Sequence, residues 1–222
     1  RQMDKYQQGG TLRLIQSFVP TSTFDSGDIS YTYDDAVTVI ALLRRGRASD
    51  LKRAEVLGDS LVYVQTHDPL DDGRVRASYH AKRLIEADGS PNIAGATSDT
   101  GNLAWTGMAF VQLYHVTGQA TYRAAAEAIA HFIQINAYDT RGAGGYTGGV
   151  KADQTKITYK STEHNIDLYA LFSMLTQTTG DKTWADEAQH ALVFKEAMRH
   201  STNGNIYLGT GDDGVTMIWR NR

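Results

Sequence analysis

The amino-acid sequence predicts an all-α fold, an α/α toroid built of helical hairpins, of which three are present. Three observations lead to this prediction: an internal repeat, two kinds of helix that alternate along the chain, and acidic residues at the starts of one kind. Of the 222 residues, 41% are hydrophobic and 21% charged, which is typical of a folded globular protein. We expect residues 1–222 to form a single, incomplete domain with hairpins at about 33–67, 101–137 and 162–200.

The repeat becomes visible when the sequence is compared with itself at an offset of 62 residues, the distance between Gly118 and Gly180. The matching pairs are Phe110 and Phe172, Leu113 and Leu175, Thr117 and Thr179, Tyr122 and Trp184, and Phe132 and Phe194. A looser copy comes first, with Gly46 in place of the hairpin glycine. Glycine in left-handed conformation commonly ends a helix, so these three glycines predict hairpin turns. A hairpin that repeats in this way buries its faces against its neighbours, which predicts a helical array.

The two helices of each predicted hairpin differ in polarity. The first is apolar almost all round, as in Leu103 to Val116, whereas the second carries one apolar stripe, as in Trp184 to Met198. A helix that is apolar on every side is buried, and one with a single stripe lies at the surface. The pattern therefore predicts an inner ring wrapped by an outer ring. Glycine- and tyrosine-bearing loops join the hairpins, and we expect short β-hairpins at Gly73 to Tyr79 and Gly204 to Leu208, at the inner-helix N-terminal rim.

Two segments that open inner helices carry a family resemblance, Tyr33-Asp34-Asp35-Ala36 and Ser161-Thr162-Glu163-His164-Asn165. With the hairpin repeat, over residues 30 to 214, they make the sequence resemble the six-hairpin glycosidase superfamily, whose members are (α/α)6 toroids. The resemblance implies activity on carbohydrates, commonly by an inverting mechanism. Three hairpins are half of such a ring. Either the chain is part of a longer protein, or a second chain completes the ring by self-association, or the array is open; we expect the first.

Acidic or amide side chains begin each inner helix, and inner helices of a toroid point the same way, so these ends meet at one mouth. They are Asp34 and Asp35 in the first, Asp99 and Asn102 in the second, and Glu163, His164, Asn165 and Asp167 in the third. Acids at helix starts also act as caps and complement the helix dipole, and we expect Asp99 to be such a cap. Glu163 and Asp35 have neighbours that already supply the cap, which favours a catalytic role.

Hydrolysis of a glycosidic bond needs one protonated carboxyl and a second carboxylate that activates water or attacks the sugar. We predict Glu163 as general acid and Asp35 or Asp34 as general base, with Asp99 as the substitute for either. Aromatic faces stack on sugars, and histidine and asparagine bind hydroxyl groups. The predicted substrate-binding residues are Tyr33, Tyr79, His80, Trp105, Tyr146, Tyr159, His164 and Asn165. The favoured function is a glycoside hydrolase that acts on a polysaccharide or oligosaccharide.

Two other functions remain open. A polysaccharide lyase or sugar epimerase would use Tyr79, His80 or His164 for proton transfer, and a lyase would use Arg74 and Arg76 to neutralise a uronate. A non-catalytic carbohydrate-binding or surface structural protein would keep only the scaffold.

Composition limits the partners. A net charge of -3 argues against nucleic acid, and there is neither a basic run nor an apolar stretch of membrane-spanning length. Cysteine is absent and the seven histidines show no tight ligand spacing, so we expect no metal and no cofactor. We expect an extracellular or periplasmic location.

Overall fold

A computed structural model of the chain describes residues 12–19, 21 and 27–219. Within this part, six helices form three hairpins: α1 Thr32–Arg45, α2 Ala48–Thr66, α3 Thr100–Thr117, α4 Ala120–Ala137, α5 Thr162–Thr179 and α6 Lys182–Ala197. Helices α1, α3 and α5 pack side by side as an inner layer, and each packs on its own outer helix. The predicted half of an α/α toroid is confirmed.

Each hairpin turns at the predicted glycine. Gly46, Gly118 and Gly180 have φ angles of 72°, 72° and 73°, and each backbone N–H donates to the carbonyl four residues earlier. A side chain at these positions would strain the left-handed backbone, which is why glycine recurs there.

The outer helices bury the predicted stripe, and the repeat extends to ring contacts. Tyr122 of α4 stacks on Phe110 of α3 with ring centroids 6.3 Å apart, and Trp184 of α6 stacks on Phe172 of α5 at 6.0 Å. Both outer aromatic side chains are at least 97% buried. The offset of 62 residues therefore reproduces the same inner-to-outer contact in two hairpins.

Short antiparallel sheets stand at the starts of the inner helices, as predicted for the rim. The strands are β1 Ile29–Tyr31, β2 Ser78–His80, β3 Ile93–Gly95, β4 Ser98–Asp99, β5 Gly149–Val150, β6 Lys156–Ile157, β7 Gly209–Thr210 and β8 Met217–Ile218. They pair as β1–β2–β3, β4–β5–β6 and β7–β8. The predicted β-hairpins at 73–79 and 204–208 are wrong. Instead, the strand that follows each outer helix pairs with the extended residues that precede the inner helix of the same hairpin. The backbone groups of those extended residues would otherwise lack hydrogen-bond partners.

A threonine begins every inner helix and fixes it to the loop that follows the same hairpin. The backbone N–H groups of Thr32, Thr100 and Thr162 donate to loop carbonyls at 2.8–3.1 Å. Their hydroxyl groups donate to the preceding carbonyls at 2.5–3.0 Å. The acceptors are Ala77 and Arg76, Gly148 and Thr147, and Leu208 and Tyr207, respectively. These threonines set a common register for the three inner helices.

The inner helices differ in how completely they are covered. Four residues after the first threonine, Ala36 of α1 and Ala104 of α3 are fully buried, whereas Ile166 of α5 is 41% exposed. Seven residues after it, Gly107 of α3 is buried and Tyr169 of α5 is 40% exposed. The prediction of helices buried on all sides therefore holds for α3, which has an inner helix on both sides. It is wrong for one flank of α5 and also for α1, where Val37 is 36% exposed.

Candidate active site

Four side chains from three inner helices gather at the N-terminal mouth. The ring of Tyr33 on α1 meets that of Trp105 on α3 edge-on, with centroids 5.4 Å apart. Glu163 and Asp167 stand one turn apart on α5 and face the same space. Burial raises the pKa of the Tyr33 hydroxyl, and the charges of Asp167 and Glu163 raise it further. The mouth therefore combines two aromatic faces with a pair of carboxyl groups.

Asp167 is a partly buried acid at this mouth. Burial raises the pKa of its carboxyl to about 6, and the nearby charge of Glu163 acts in the same direction. The indole N–H of Trp105 opposes this shift. It is buried, and among the described residues it has no hydrogen-bond partner of ordinary geometry. Near neutral pH, Asp167 thus exchanges a proton within a range that suits acid catalysis.

A groove of about 760 Å³ runs along α5 past this carboxyl pair. Glu163, Asp167 and Tyr159 line it together with apolar side chains from the β7–β8 region. Among the lining residues the only cation is Lys160, which is fully buried. Its ammonium group pairs with Asp139 at 2.8 Å. The groove therefore presents carboxyl groups and apolar surface, without an accessible positive charge from the residues that line it.

His164 joins α5 to α3 beneath the mouth. Its Nδ1 lies 3.0 Å from the hydroxyl oxygen of Thr100, whose own proton goes to the carbonyl of Thr147. Thr100 therefore accepts from Nδ1–H, which defines the tautomer. Burial lowers the pKa of the imidazole, against the charges of Glu163 and Asp99. The ring packs so close to Gly101 that a Cβ there would lie 2.7 Å from it. His164 thus serves as a neutral structural link.

Asp35 is a correction to the predicted catalytic pair. Its side chain is fully buried and accepts hydrogen bonds from the backbone N–H of Ile15 at 3.0 Å and the hydroxyl of Ser30 at 2.7 Å. Burial raises its pKa to about 7, and these two hydrogen bonds oppose the shift. Asn165 holds the same register on α5 and accepts from the backbone N–H of Tyr146 at 2.8 Å. Both side chains anchor backbone rather than face the mouth.

Two predicted subsite tyrosines, Tyr79 and Tyr146, are fully buried, as is Asn165. The Tyr79 hydroxyl accepts from the backbone N–H of Arg76 at 2.9 Å, and the Tyr146 hydroxyl donates to the carboxylate of Glu187. The prediction that these three residues bind substrate is corrected, because their polar groups are satisfied inside the scaffold.

The remaining predicted residues divide between the mouth and other places. Asp34 is partly exposed beside Tyr33, and its charge contributes to the raised pKa of that hydroxyl. Tyr159 is 37% exposed in the groove. His80 lies in a separate polar pocket of about 520 Å³, where its Nδ1 is 2.8 Å from Asp28.

Asp99 stands at the N-cap position of α3, but its side chain makes no capping hydrogen bond. It accepts instead from the hydroxyl of Thr97 at 3.0 Å. The predicted cap is therefore wrong for Asp99, whereas Ser161 does cap α5 by accepting from the backbone N–H of His164.

The two arginines that a lyase would need are buried in ion pairs. Arg74 is 3% exposed and bonded to Asp72, and Arg76 is 4% exposed and bonded to Asp68. Neither guanidinium group is placed to neutralise a uronate in the groove.

Asp167 belongs to the acids that the sequence places at the start of the third inner helix, but the sequence alone assigns it no function. The spacing of four residues between Glu163 and Asp167 indicates that both acids lie on the same face of the helix.

The sequence matches no protein-family model and no curated protein at a significant level. Solved structures match well. A D-mannose isomerase aligns with a TM-score of 0.73 at 16% identity, over 91% of this chain and 54% of its own. Cellobiose 2-epimerase from Spirochaeta thermophila aligns with a TM-score of 0.74 at 16% identity, over 97% of this chain and 54% of its own. A GH76 α-mannanase from Bacteroides thetaiotaomicron aligns with a TM-score of 0.65 at 18% identity, over 85% of this chain and 50% of its own.

The chain thus spans about half the length of these proteins. At these identities the likeness is one of fold, and it agrees with the predicted half of an α/α toroid.

Proposed function

We propose that this protein is a carbohydrate-active enzyme, a glycoside hydrolase that cleaves a polysaccharide or oligosaccharide outside the cytoplasm. The observation that carries the proposal is the mouth itself, where Glu163 and Asp167 face the rings of Tyr33 and Trp105 beside an open groove. Carboxyl groups supply the acid and base of glycoside hydrolysis, and aromatic faces hold sugar rings. The likeness to a GH76 α-mannanase supports a carbohydrate substrate.

In this mechanism Glu163 donates a proton to the glycosidic oxygen as the bond to the anomeric carbon breaks. A second carboxylate removes a proton from the water that attacks the opposite face of the sugar, as an inverting enzyme requires. With Asp35 buried, Asp34 is the proposed base and Asp99 its substitute, since both are partly exposed at inner-helix starts.

The lining of the groove favours an uncharged sugar over a uronate. An anionic substrate would find no accessible positive charge among the lining residues, because the one lining cation, Lys160, is already paired with Asp139. This argues for hydrolysis rather than for the lyase chemistry that acts on uronates.

The test is turnover on a panel of neutral and acidic polysaccharides, measured as release of reducing ends. Glu163→Gln should lower kcat by about 10²-fold or more without a change in unfolding midpoint, since general acid catalysis contributes that much. The matched control is Glu196→Gln on the outer helix α6, where the side chain is 52% exposed and paired with Lys195. Full activity in Glu163→Gln would overturn the assignment.

A sugar epimerase or isomerase is the second candidate, favoured by the likeness to D-mannose isomerase and cellobiose 2-epimerase. Such an enzyme would convert a sugar into an isomer of equal mass, whereas a hydrolase adds water. Mass spectrometry of the product separates the two. Glycan binding without turnover would instead favour a binding or surface structural protein.

Among the described residues, no helix is long and apolar enough to cross a membrane, and no three metal-ligating side chains converge. Measurement of the molecular mass in solution tests whether two chains associate to complete a ring.

A further inference from the structure

We propose that the end of the molecule opposite the mouth binds an anionic polysaccharide through a cluster of basic side chains at the first hairpin turn. This cluster, which we call the basic turn, consists of Arg44, Arg45, Arg47, Lys52 and Arg53. It belongs to a second surface of the protein and goes beyond the proposed hydrolase function, which concerns the mouth.

The basic turn is marked by its charge. Five of the ten residues from 44 to 53 are basic and one is acidic, which gives this segment a charge of +4 in a chain whose net charge is -3. Arg44, Arg47 and Lys52 are exposed, and Arg53 is partly exposed. Within the part of the chain that the structure describes, none of these four has an ion-pair partner. The net charge of the whole chain therefore conceals a surface of positive potential.

The repeat shows that the fold does not require these cations. Each outer helix begins two residues after its turn glycine, so positions in the three hairpins can be compared by counting from Gly46, Gly118 and Gly180. At the five positions of the basic turn, the other two hairpins have no basic residue. These positions hold Val116, Thr117, Gln119, Ala124 and Ala125 in the second hairpin, and Thr178, Thr179, Asp181, Asp186 and Glu187 in the third.

The helix dipoles account for only part of the cluster. Arg44 and Arg45 lie in the last turn of α1, where a cation stabilises the negative end of the helix. Arg47 takes the N-cap position of α2, where a cation opposes the dipole. Its counterpart in the third hairpin, Asp181, caps α6 by accepting from the backbone N–H of Thr183 at 2.8 Å. An unfavourable charge thus stands where another hairpin has a stabilising cap, which points to a role for Arg47 outside folding.

Asp50 fixes one guanidinium group of the basic turn. Counted from the turn glycine, it takes the place of the buried aromatic residues Tyr122 and Trp184. Asp50 is fully buried and accepts hydrogen bonds from both Nε and Nη2 of Arg45, the first at 2.6 Å. The Arg45 side chain nevertheless remains 54% exposed. Because a bidentate pair holds the guanidinium plane in one orientation, its remaining N–H groups are preorganised at the surface for an anion.

The surroundings of the basic turn favour a glycan over other polyanions. No large hydrophobic side chain between residues 38 and 69 is exposed, whereas surfaces that bind lipid headgroups place such side chains beside their cations. No aromatic residue lies between 34 and 62, whereas proteins that bind single-stranded nucleic acid stack bases on aromatic rings. An acidic polysaccharide presents oxyanions along a polar chain, and the proposed action outside the cytoplasm would bring the protein into contact with one.

The basic turn is remote from the mouth. Helix α1 begins at the mouth with Thr32 and ends at Arg45, and its 14 residues span about 20 Å. A polysaccharide bound at the turn therefore leaves the groove free for the uncharged sugar proposed there. The turn holds the protein on an acidic matrix while the mouth acts on another chain.

Binding to immobilised polysaccharides, measured by surface plasmon resonance, tests the inference. The probes are polygalacturonate, dextran sulfate and unmodified dextran. The protein should bind one or both acidic polymers and not dextran, and the stronger of the two shows whether carboxylate or sulfate is preferred. Affinity should fall by about 10-fold or more between about 50 and 200 mM salt, because the bound cations release counterions. Failure to bind either acidic polymer would overturn the proposal.

A pair of double variants locates the binding surface. Arg44→Gln with Arg47→Gln should weaken binding to the acidic polymer by about 10-fold or more without lowering the unfolding midpoint. The matched control, Lys151→Gln with Lys182→Gln, removes two exposed cations elsewhere and should bind as the wild type does. Equal losses in the two double variants would contradict the proposal, because binding would then follow net charge rather than the basic turn.

Other polyanions decide the class of partner. Tighter binding to duplex DNA, or to vesicles of equal parts phosphatidylcholine and phosphatidylglycerol, than to the acidic polysaccharides would overturn the assignment of a glycan. These measurements need no turnover, so they are independent of the test with Glu163→Gln. An inactive protein that binds the acidic polymer through the basic turn supports the inference, and an active one that does not bind it contradicts the inference alone.

Discussion

The two flanks of the helical array are closed in different ways. At α1, residues 12–16 lie where a loop from a preceding hairpin would lie. The backbone N–H of Ile15 donates to Asp35 as that of Tyr146 donates to Asn165. At α5 the opposite flank is open, and Ile166 is 41% exposed there. One flank therefore reproduces the contact made inside the array, whereas the other leaves its apolar residues in solvent.

The loops show the same difference. Tyr146 is fully buried because it packs on the next hairpin, with its ring 5.4 Å from that of Phe172. Ile206 occupies the corresponding bridge position after α6 and is 48% exposed. Burial at a repeat position thus depends on whether another hairpin stands beside it. Inside the array, the same positions are part of the core.

The largest expected effect contrasts two neighbours on α5. Leu171 is fully buried against Gly107 of α3, whereas Tyr169 points to the open flank. Leu171→Ala should lower the free energy of unfolding by about 2–5 kcal/mol, as a cavity in a packed core does. Tyr169→Ala should cost less than about 1 kcal/mol. Urea denaturation measures both, and equal losses would show that the open flank is covered in solution.

A smaller effect concerns the closed flank and pH. Because burial raises the pKa of Asp35 to about 7, the unfolded state ionises first, and stability should fall as pH rises from about 4 to 7. Asp35→Asn places on α1 the amide that α5 already has at Asn165. The variant should lose this part of the pH dependence and be more stable at pH 8 by at least about 1 kcal/mol. The prediction is wrong if the wild type and Asp35→Asn show the same change in the free energy of unfolding between pH 5 and pH 8.

The smallest effect is expected at Ile166. Ile166→Lys should change the free energy of unfolding by less than about 0.5 kcal/mol, because the side chain is already exposed. It should also reduce binding of a hydrophobic dye. Ile135→Lys, at a position 79% exposed on α4, is the matched control outside the groove. A halved mass by light scattering in Ile166→Lys alone would mean that a second chain covers the flank.

The hairpins could be predicted from sequence because turn glycines and paired aromatics recur at a fixed spacing. The exposure of Ile166 could not, since it depends on which hairpin stands beyond α5. The burial of Asp35 could not be predicted either, for a different reason. Neighbouring residues on a helix point about 100° apart, so a helix-start position alone does not say which acid faces the mouth.

The register of the threonines separates the buried positions at the helix starts from those that face the mouth. Counted from Thr32 and Thr162, Asp35 matches the buried Asn165, and Tyr33 matches Glu163 at the mouth. The threonines do not stand out as a repeat in the sequence, because the residues around them differ in each hairpin.

Those three threonines have a consequence for how this scaffold diversifies. Thr32, Thr100 and Thr162 hold the rim loops through main-chain carbonyls, which every amino acid supplies. Mutations can therefore replace the loop side chains around the mouth without loosening the attachment of the loops. Selection for a new ligand can act on the rim while the helices beneath it stay the same.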